Sequence, residues 1–196
     1  MNAARKSIGF IGLGKMGYPM AGLLHRAGHE LTLFDAVPSQ AARFAAAHAG
    51  VRVAEGLEAF SNVDAVITML PDSDAVDEIV LGQPPHEGLI DILPPGATVI
   101  DMSSSQPLRS RTLAQTLDRR GLHFLDAPVS GGVKRAREGS LTIMVGGEQA
   151  QYRERRDLFQ CMGKTIIHVG GPGAGHAVKA LNNYVSAAGL IATVEA

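Results

Sequence analysis

The sequence predicts an α/β fold: a doubly wound, mostly parallel sheet that leads into the start of a long helix. Three observations carry that expectation. Short apolar runs alternate with amphipathic segments along nearly the whole chain, a glycine-rich turn joins the first run to the first amphipathic segment, and the final 22 residues are apolar around most of a helical circumference.

The first strand, Ser7 to Ile11, feeds into Gly12-Leu13-Gly14-Lys15-Met16-Gly17 and then a helix, Met16 to Arg26, with Met16, Met20, Leu23 and Leu24 on one face. The glycines have separate duties: Gly12 turns the strand, Gly14 admits a pyrophosphate to the backbone, and Gly17 packs the helix close. The amides at the helix start face the phosphates. In a chain with 23 glycines, G-x-G-x-x-G alone is a weak signal, and a plain strand-turn-helix is its alternative. The strand before and the helix after make it a Rossmann-type dinucleotide turn, with Gly12, Leu13, Gly14, Lys15, Met16 and Gly17 as cofactor-binding residues. Pro19 falls in the first turn, whose amides have no intrahelical acceptor to lose.

The second strand, Leu31 to Asp35, ends 18 residues beyond Gly17 in a carboxylate suited to the ribose hydroxyls of an adenosine half. The same charge repels a 2′-phosphate, and no cation follows until Arg43. NAD is therefore expected in preference to NADP. A turn or helix-capping role for Asp35 before Pro38 is the other reading.

Further strands are expected at Val51 to Val53, Ala65 to Met69, Thr98 to Asp101, His123 to Ala127, Leu141 to Val145 and Thr165 to Val169, each short and apolar as strands covered on both faces are. Helices fill the intervals at Ser39 to His48, Asp74 to Leu81, Pro107 to Arg119 and Gln149 to Met162. Gly28, Gly50, Gly121 and Gly163 follow helices as left-handed stops.

Composition excludes several classes. A net charge of −1 gives no basic field for nucleic acid or anionic lipid. One cysteine, Cys161, forms no internal disulfide and suits a reducing compartment. Seven histidines make no H-E-x-x-H or Cys/His cluster, so no metal is expected. Residues 1–7 carry no apolar signal segment, and a cytoplasmic product is expected.

Loops at strand C-termini are where open α/β sheets hold ligands. Met69-Leu70-Pro71-Asp72-Ser73 and Asp101-Met102-Ser103-Ser104-Ser105-Gln106-Pro107 are either ligand loops or strand exits whose Ser or Asp caps the next helix. Asp126-Ala127-Pro128-Val129-Ser130-Gly131-Gly132 offers a hydroxyl beside two unencumbered amides, a nest for a carboxylate or a tight loop before a crossover. After Gly170 to Gly175 comes a helix with Lys179 and Asn183 four apart on one face, among Val178, Leu181, Val185, Leu190, Ile191 and Val194. A lysine buried there becomes a usable proton donor or acceptor; a stem that snorkels to water is the alternative.

The Gly9 to Met20 segment, the Asp126 to Gly132 loop and the Gly173 to Asn183 segment together resemble the β-hydroxyacid dehydrogenases, typified by 3-hydroxyisobutyrate dehydrogenase, over essentially the whole chain. The resemblance implies that Lys179 is the catalytic acid/base and that Asn183 holds substrate or lysine. It implies that Ser130, Gly131 and Gly132 hold the substrate carboxylate, and that Leu70, Pro71 and Ser104 touch NAD, with serine standing where the family usually has threonine. Two departures stand out. Arg135 occupies a glycine position of the family's G-G-x-x-G-A-x-x-G loop, and the family continues as an all-helical domain beyond the length of this chain.

Residues 1–170 are thus expected to form the nucleotide domain and residues 171–196 the glycine turn and start of an interdomain helix, the helical substrate and dimerisation domain being absent. The implied reaction is hydride transfer between NAD and a short 3-hydroxy acid, giving a semialdehyde. The alternatives are a tartronate semialdehyde or glyoxylate-type reductase of the same family and a catalytically silent nucleotide-binding module. A 6-phosphogluconate dehydrogenase is disfavoured because Asn182 stands where that group has histidine, and an imine reductase because Lys179 is present. The expected partner is a small hydroxy acid, in a homo-oligomeric complete protein.

Overall fold

A computed structural model describes residues 5–195. The chain runs β1 (Ser7–Ile11), α1 (Gly17–Arg26), β2 (Glu30–Phe34), α2 (Pro38–Ala47), β3 (Arg52–Val53), a 3₁₀ turn (Leu57–Phe60), β4 (Ala65–Thr68) and α3 (Ser73–Leu81). A small hairpin of β5 (Gly82–Gln83) and β6 (His86–Glu87) follows, then α4 (Leu89–Ile92), β7 (Thr98–Asp101), α5 (Pro107–Asp118), β8 (His123–Asp126) and β9 (Val129–Ser130). The last elements are α6 (Gly132–Glu138), β10 (Leu141–Gly147), α7 (Gln149–Met162), β11 (Gly163–Gly170) and α8 (Ala174–Glu195).

The main sheet is ordered β11-β10-β8-β7-β4-β1-β2-β3, with β9 beside β10. In the main sheet the strands from β3 through β1 to β8 pair in parallel, so the carboxyl ends of β1, β2, β4, β7 and β8 share one edge. β10 runs antiparallel to β8 and β9, and β11 runs parallel to β10. The order reverses between β1→β2→β3 on one side and β4→β7→β8 on the other, and a crevice opens at such a switch point.

Alternation along β1 divides the interior between two faces. Ile8 and Phe10 join Leu24, Leu33, Phe44 and Phe159 beneath α1, α2 and α7. Ile11 joins Phe60, Val66, Val99, Leu113 and Leu117 beneath α3, α4 and α5. Gly9, on that second side, leaves room for the Phe60 ring; a Cβ there would lie 2.5 Å from its Cδ1. Every residue of β4 and β7 is buried, as strands covered on both faces require.

The expected strands and helices all form, with ends within about two residues of the sequence reading. Gly28, Gly50 and Gly121 are left-handed, at φ 92°, 81° and 70°. Gly163 is not: it is extended, with φ −140°, and begins β11. It has no Cβ because one would sit 2.7 Å from the Leu141 carbonyl oxygen on the paired strand. The 3₁₀ turn, the β5–β6 hairpin, α4, β9 and α6 are additions to the expected elements. α6 buries one residue, Ala136, so it presents no apolar stripe to a periodicity reading. No helix among the described residues is long and apolar enough to cross a membrane.

Candidate active site

The glycine turn is built as its residue types require. Gly12 has φ 95° and donates its amide to the Phe34 carbonyl at 3.0 Å, tying the turn to β2. A Cβ on Gly12 would strike the Met69 carbonyl oxygen, and one on Gly17 would strike the Gly12 carbonyl oxygen. Gly14 has no atom within 4 Å of the place a Cβ would take, so its backbone is open to a ligand. Met16, at the N-cap of α1, makes no side-chain cap, and no acidic residue lies in the first turn. The free amides of that helix start suit a phosphate.

A cavity of about 780 Å³ opens over this turn. Its lining brings together Gly12, Gly14, Lys15, Met16, Gly17, Asp35, Leu70 and Pro71, closed by Phe34, Val37 and Ile79. Leu13 is fully buried and offers only its backbone. Its amide donates to Asp35 Oδ2 at 2.6 Å, while Asp35 Oδ1 accepts from the Val37 amide at 2.8 Å. Asp35 therefore does hold its own turn, and it also lines the cavity. Each carboxylate oxygen keeps lone-pair capacity for a hydroxyl. An apolar slot with an acid at its rim and open amides at its base fits the adenosine and pyrophosphate of a dinucleotide.

The two loops at the ends of β4 and β7 are tied together. The Leu70 amide donates to Ser103 Oγ at 2.9 Å, and the Gln106 amide to Ser73 Oγ at 2.8 Å. Asp72 caps α3, accepting from the Ala75 amide at 3.0 Å. Ser104 is exposed beside Ser103 and stands outside the cavity lining.

On α8, Lys179 is half-buried, and burial pushes its amine below the ordinary lysine value of 10.5. No carboxylate among the described residues forms an ion pair with it. Asn183 is exposed. The link from α8 to the carboxylate nest comes instead from Asn182, whose Nδ2 donates to Ser130 Oγ at 3.5 Å. Gly131 and Gly132 take φ 128° and 65°, as a backbone nest does, and Gly132 is open on its Cβ side. Arg135 lays its aliphatic stem across Gly131: a Cβ on that glycine would lie 2.5 Å from Arg135 Cδ.

Sequence reasoning missed a buried polar cluster under the start of α8. Asp126, wholly buried, accepts from the amides of Gly173 and His176, both at 2.8 Å. Its carboxyl titrates above the usual carboxylate range because burial outweighs those two amide bonds. His176 Nδ1 lies 2.7 Å from Ser110 Oγ, and Nε2 lies 3.2 Å from the Ser103 carbonyl oxygen. Asp101 accepts from Thr68 Oγ1 at 3.0 Å, the Ser103 amide at 3.0 Å and Ser105 Oγ at 2.6 Å. The available signal was the pair of aspartates ending successive strands, Asp101 and Asp126, with a histidine inside a glycine-flanked helix start.

Residues 7–170 match the family described as the NAD binding domain of 6-phosphogluconate dehydrogenase. The chain is 39% identical over 195 residues to the mitochondrial 3-hydroxyisobutyrate dehydrogenase of Mus musculus, covering 99% of this chain and 57% of that protein. It is 41% identical over 191 residues to the NAD-dependent L-serine dehydrogenase of Pseudomonas aeruginosa, covering 97% and 63%. Among solved structures, Mycobacterium tuberculosis 3-hydroxyisobutyrate dehydrogenase with L-serine superposes with a TM-score of 0.90 at 39% identity, covering 97% of this chain and 63% of that one. The chain thus spans roughly three-fifths of the length of these relatives.

Proposed function

The chain belongs to the β-hydroxyacid dehydrogenase family, its residues 7–170 being that family's NAD-binding domain, and from this we propose that the complete protein oxidises a short 3-hydroxy carboxylate. The observation that carries the reading is Lys179: a half-buried amine without an ion-pair partner among the described residues, on a helix fastened to the same sheet edge as the glycine turn. The relatives' names support the substrate class, since 3-hydroxyisobutyrate and L-serine are both carboxylates with a hydroxyl on the third carbon.

NAD, when bound, supplies the acceptor for the hydride. The chain's residues do the rest. Gly14 and the first amides of α1 hold the pyrophosphate, Asp35 accepts the ribose hydroxyls, and Leu70, Pro71 and Ser104 border the cofactor. Leu13, Lys15, Met16 and Gly17 complete the turn. Ser130, Gly131 and Gly132 hold the substrate carboxylate, and Asn182 and Asn183 orient the substrate or the lysine. As the C–H bond gives up its hydrogen with both electrons, the neutral Lys179 amine removes the hydroxyl proton; the C–O bond becomes a carbonyl and the amine an ammonium. In reduction the ammonium returns that proton. The Arg135 guanidinium, carried on a stem that lies over Gly131, adds positive charge beside the carboxylate site.

In this reading residues 171–196 begin the interdomain helix, and the complete protein takes the rest of its substrate pocket and a homo-oligomer interface from a helical domain. Lys179→Ala in the full-length protein tests the assignment. Oxidation of 3-hydroxyisobutyrate or L-serine is expected to fall by about 10²–10⁴-fold, the usual contribution of a general base. A rate near that of the unaltered protein would refute it.

A further inference from the structure

We propose that Asp126 and His176 are positioning residues, which set where the Lys179 amine stands over the carboxyl edge of the sheet; this rests on the acid/base reading of Lys179 given above.

Within the described residues α8 is buried at its start, at Gly175 and His176, and Asn182 adds one bond to Ser130 further along. The first turn therefore does most to set the direction and register of the helix against the sheet. Three separate supports meet there. From β8, Asp126 binds the Gly173 and His176 amides through different oxygens, each at 2.8 Å. From α5, Ser110 Oγ meets His176 Nδ1 at 2.7 Å, and from the loop after β7 the Ser103 carbonyl meets Nε2 at 3.2 Å. The first turn is thus held from a strand, a helix and a loop at once.

The chemistry of these contacts is specific. A carbonyl cannot donate, so Nε2 must carry a hydrogen toward Ser103. Nδ1 pairs with the Ser110 hydroxyl, which also donates to the Gln106 carbonyl at 3.2 Å, and the carboxylates of Asp101 and Asp126 stand 3.8 and 3.7 Å from Nε2 and Nδ1. Close approach is built in: a Cβ on Gly146 would lie 2.5 Å from Asp126 Oδ1, and one on Gly175 would lie 2.7 Å from the Asp126 carbonyl oxygen. Lys179 is three residues beyond His176, about 4.5 Å along the axis and on a neighbouring part of the same face. Ser103, which supports the ring with its carbonyl, also accepts the Leu70 amide at 2.9 Å through its hydroxyl. One residue therefore braces both the lysine helix and the cofactor loop.

The test uses the full-length protein with His176→Ala, His176→Gln and Lys179→Ala. Trace acetylation by acetic anhydride across pH, read by mass spectrometry, follows the Lys179 amine without requiring turnover. In the unaltered protein Lys179 should become reactive at lower pH than a free lysine peptide added as reference. In His176→Ala its midpoint should move up toward that of the reference peptide, and kcat with 3-hydroxyisobutyrate or L-serine should fall about tenfold while NAD affinity stays within about twofold. His176→Gln keeps a donor for the Ser103 carbonyl and a polar atom for Ser110, and should restore both readouts. An unmoved Lys179 midpoint in His176→Ala overturns the proposal whatever Lys179→Ala does, whereas normal oxidation by Lys179→Ala sinks the acid/base reading alone. If His176→Ala does not fold, Ser110→Ala, which removes one support, decides the matter: a midpoint shift in the same direction upholds the proposal, and an unchanged midpoint overturns it.

Discussion

Two titrating groups, the buried Asp126 and the half-buried Lys179, set the pH behaviour at the level of single residues, with opposite signs. Lys179 is held below 10.5 by burial, and its neutral form is the one that accepts a proton. The oxidation rate is therefore expected to rise with pH, with a midpoint below that value, and the reduction rate to fall over the same interval. A pH–kcat profile with no alkaline limb below the ordinary lysine range would count against it. Asp126 is raised above 3.8 by burial. Between 3.8 and its folded value the native state holds more protons than the unfolded chain, so stability declines as pH rises through that window. Asp126→Asn should flatten this slope in thermal melts at mildly acidic pH. It should also lower Tm near neutrality, since an amide has a single acceptor oxygen for two donors, and an unpartnered buried amide costs about 1–3 kcal/mol. Asp35→Ala affects selection: with the carboxylate gone, the ratio of NAD to NADP affinity should narrow, and an unchanged ratio in parallel titrations would remove Asp35 from the ribose.

The glycine turn joins residue to element. Gly14 and Gly17 both have negative φ, so alanine is conformationally allowed at either, yet their surroundings differ completely. Gly17→Ala drives a methyl into the Gly12 carbonyl and must lift α1 from β1, for a loss of about 1–3 kcal/mol in denaturant unfolding together with weaker NAD binding. Gly14→Ala meets nothing in the protein and should leave stability nearly unchanged while weakening NAD by about tenfold or more, about 1.4 kcal/mol, because the methyl stands where the pyrophosphate approaches. Equal effects of the two substitutions on stability would contradict the division of duties. This turn was legible in the sequence because its meaning is local: a strand, a spacing and a helix are adjacent in the chain. The same holds for β1, β4 and β7, whose buried apolar runs announce covered strands. Gly163 was misread because its role depends on Leu141 across the sheet. The antiparallel entry of β10 was likewise hidden, since periodicity carries no strand direction. The His176 cluster joins residues 66 and 73 positions apart, and its histidine read only as part of a glycine-rich turn. Asn182 and Asn183 are adjacent amides, and only the packed loop shows that 182 is the one bonded to Ser130.

Over the whole molecule, cofactor binding and chemistry are expected to separate. The cavity, its glycine floor and Asp35 all lie within one packed body between two faces of core, so residues 1–196 hold every group proposed to bind NAD. The substrate side is different. Along α8, Leu181, Tyr184, Val185, Leu190, Ile191 and Val194 are between 60% and 77% exposed, a continuous apolar surface on the helix that also carries Lys179. An apolar helix in water gains by covering that surface, about 25 cal/mol for each Å² removed. Calorimetric titration of residues 1–196 with NAD should therefore give one site per chain with little or no NADH formation from 3-hydroxyisobutyrate. Sedimentation velocity on the same protein should show mass rising with concentration. Replacing Leu190 and Ile191 with serine should suppress that association without altering the NAD titration, because neither residue touches the cavity. If NAD binding vanished along with self-association, the cofactor site would depend on an intermolecular contact, and the division of labour between sheet edge and helix would have to be abandoned.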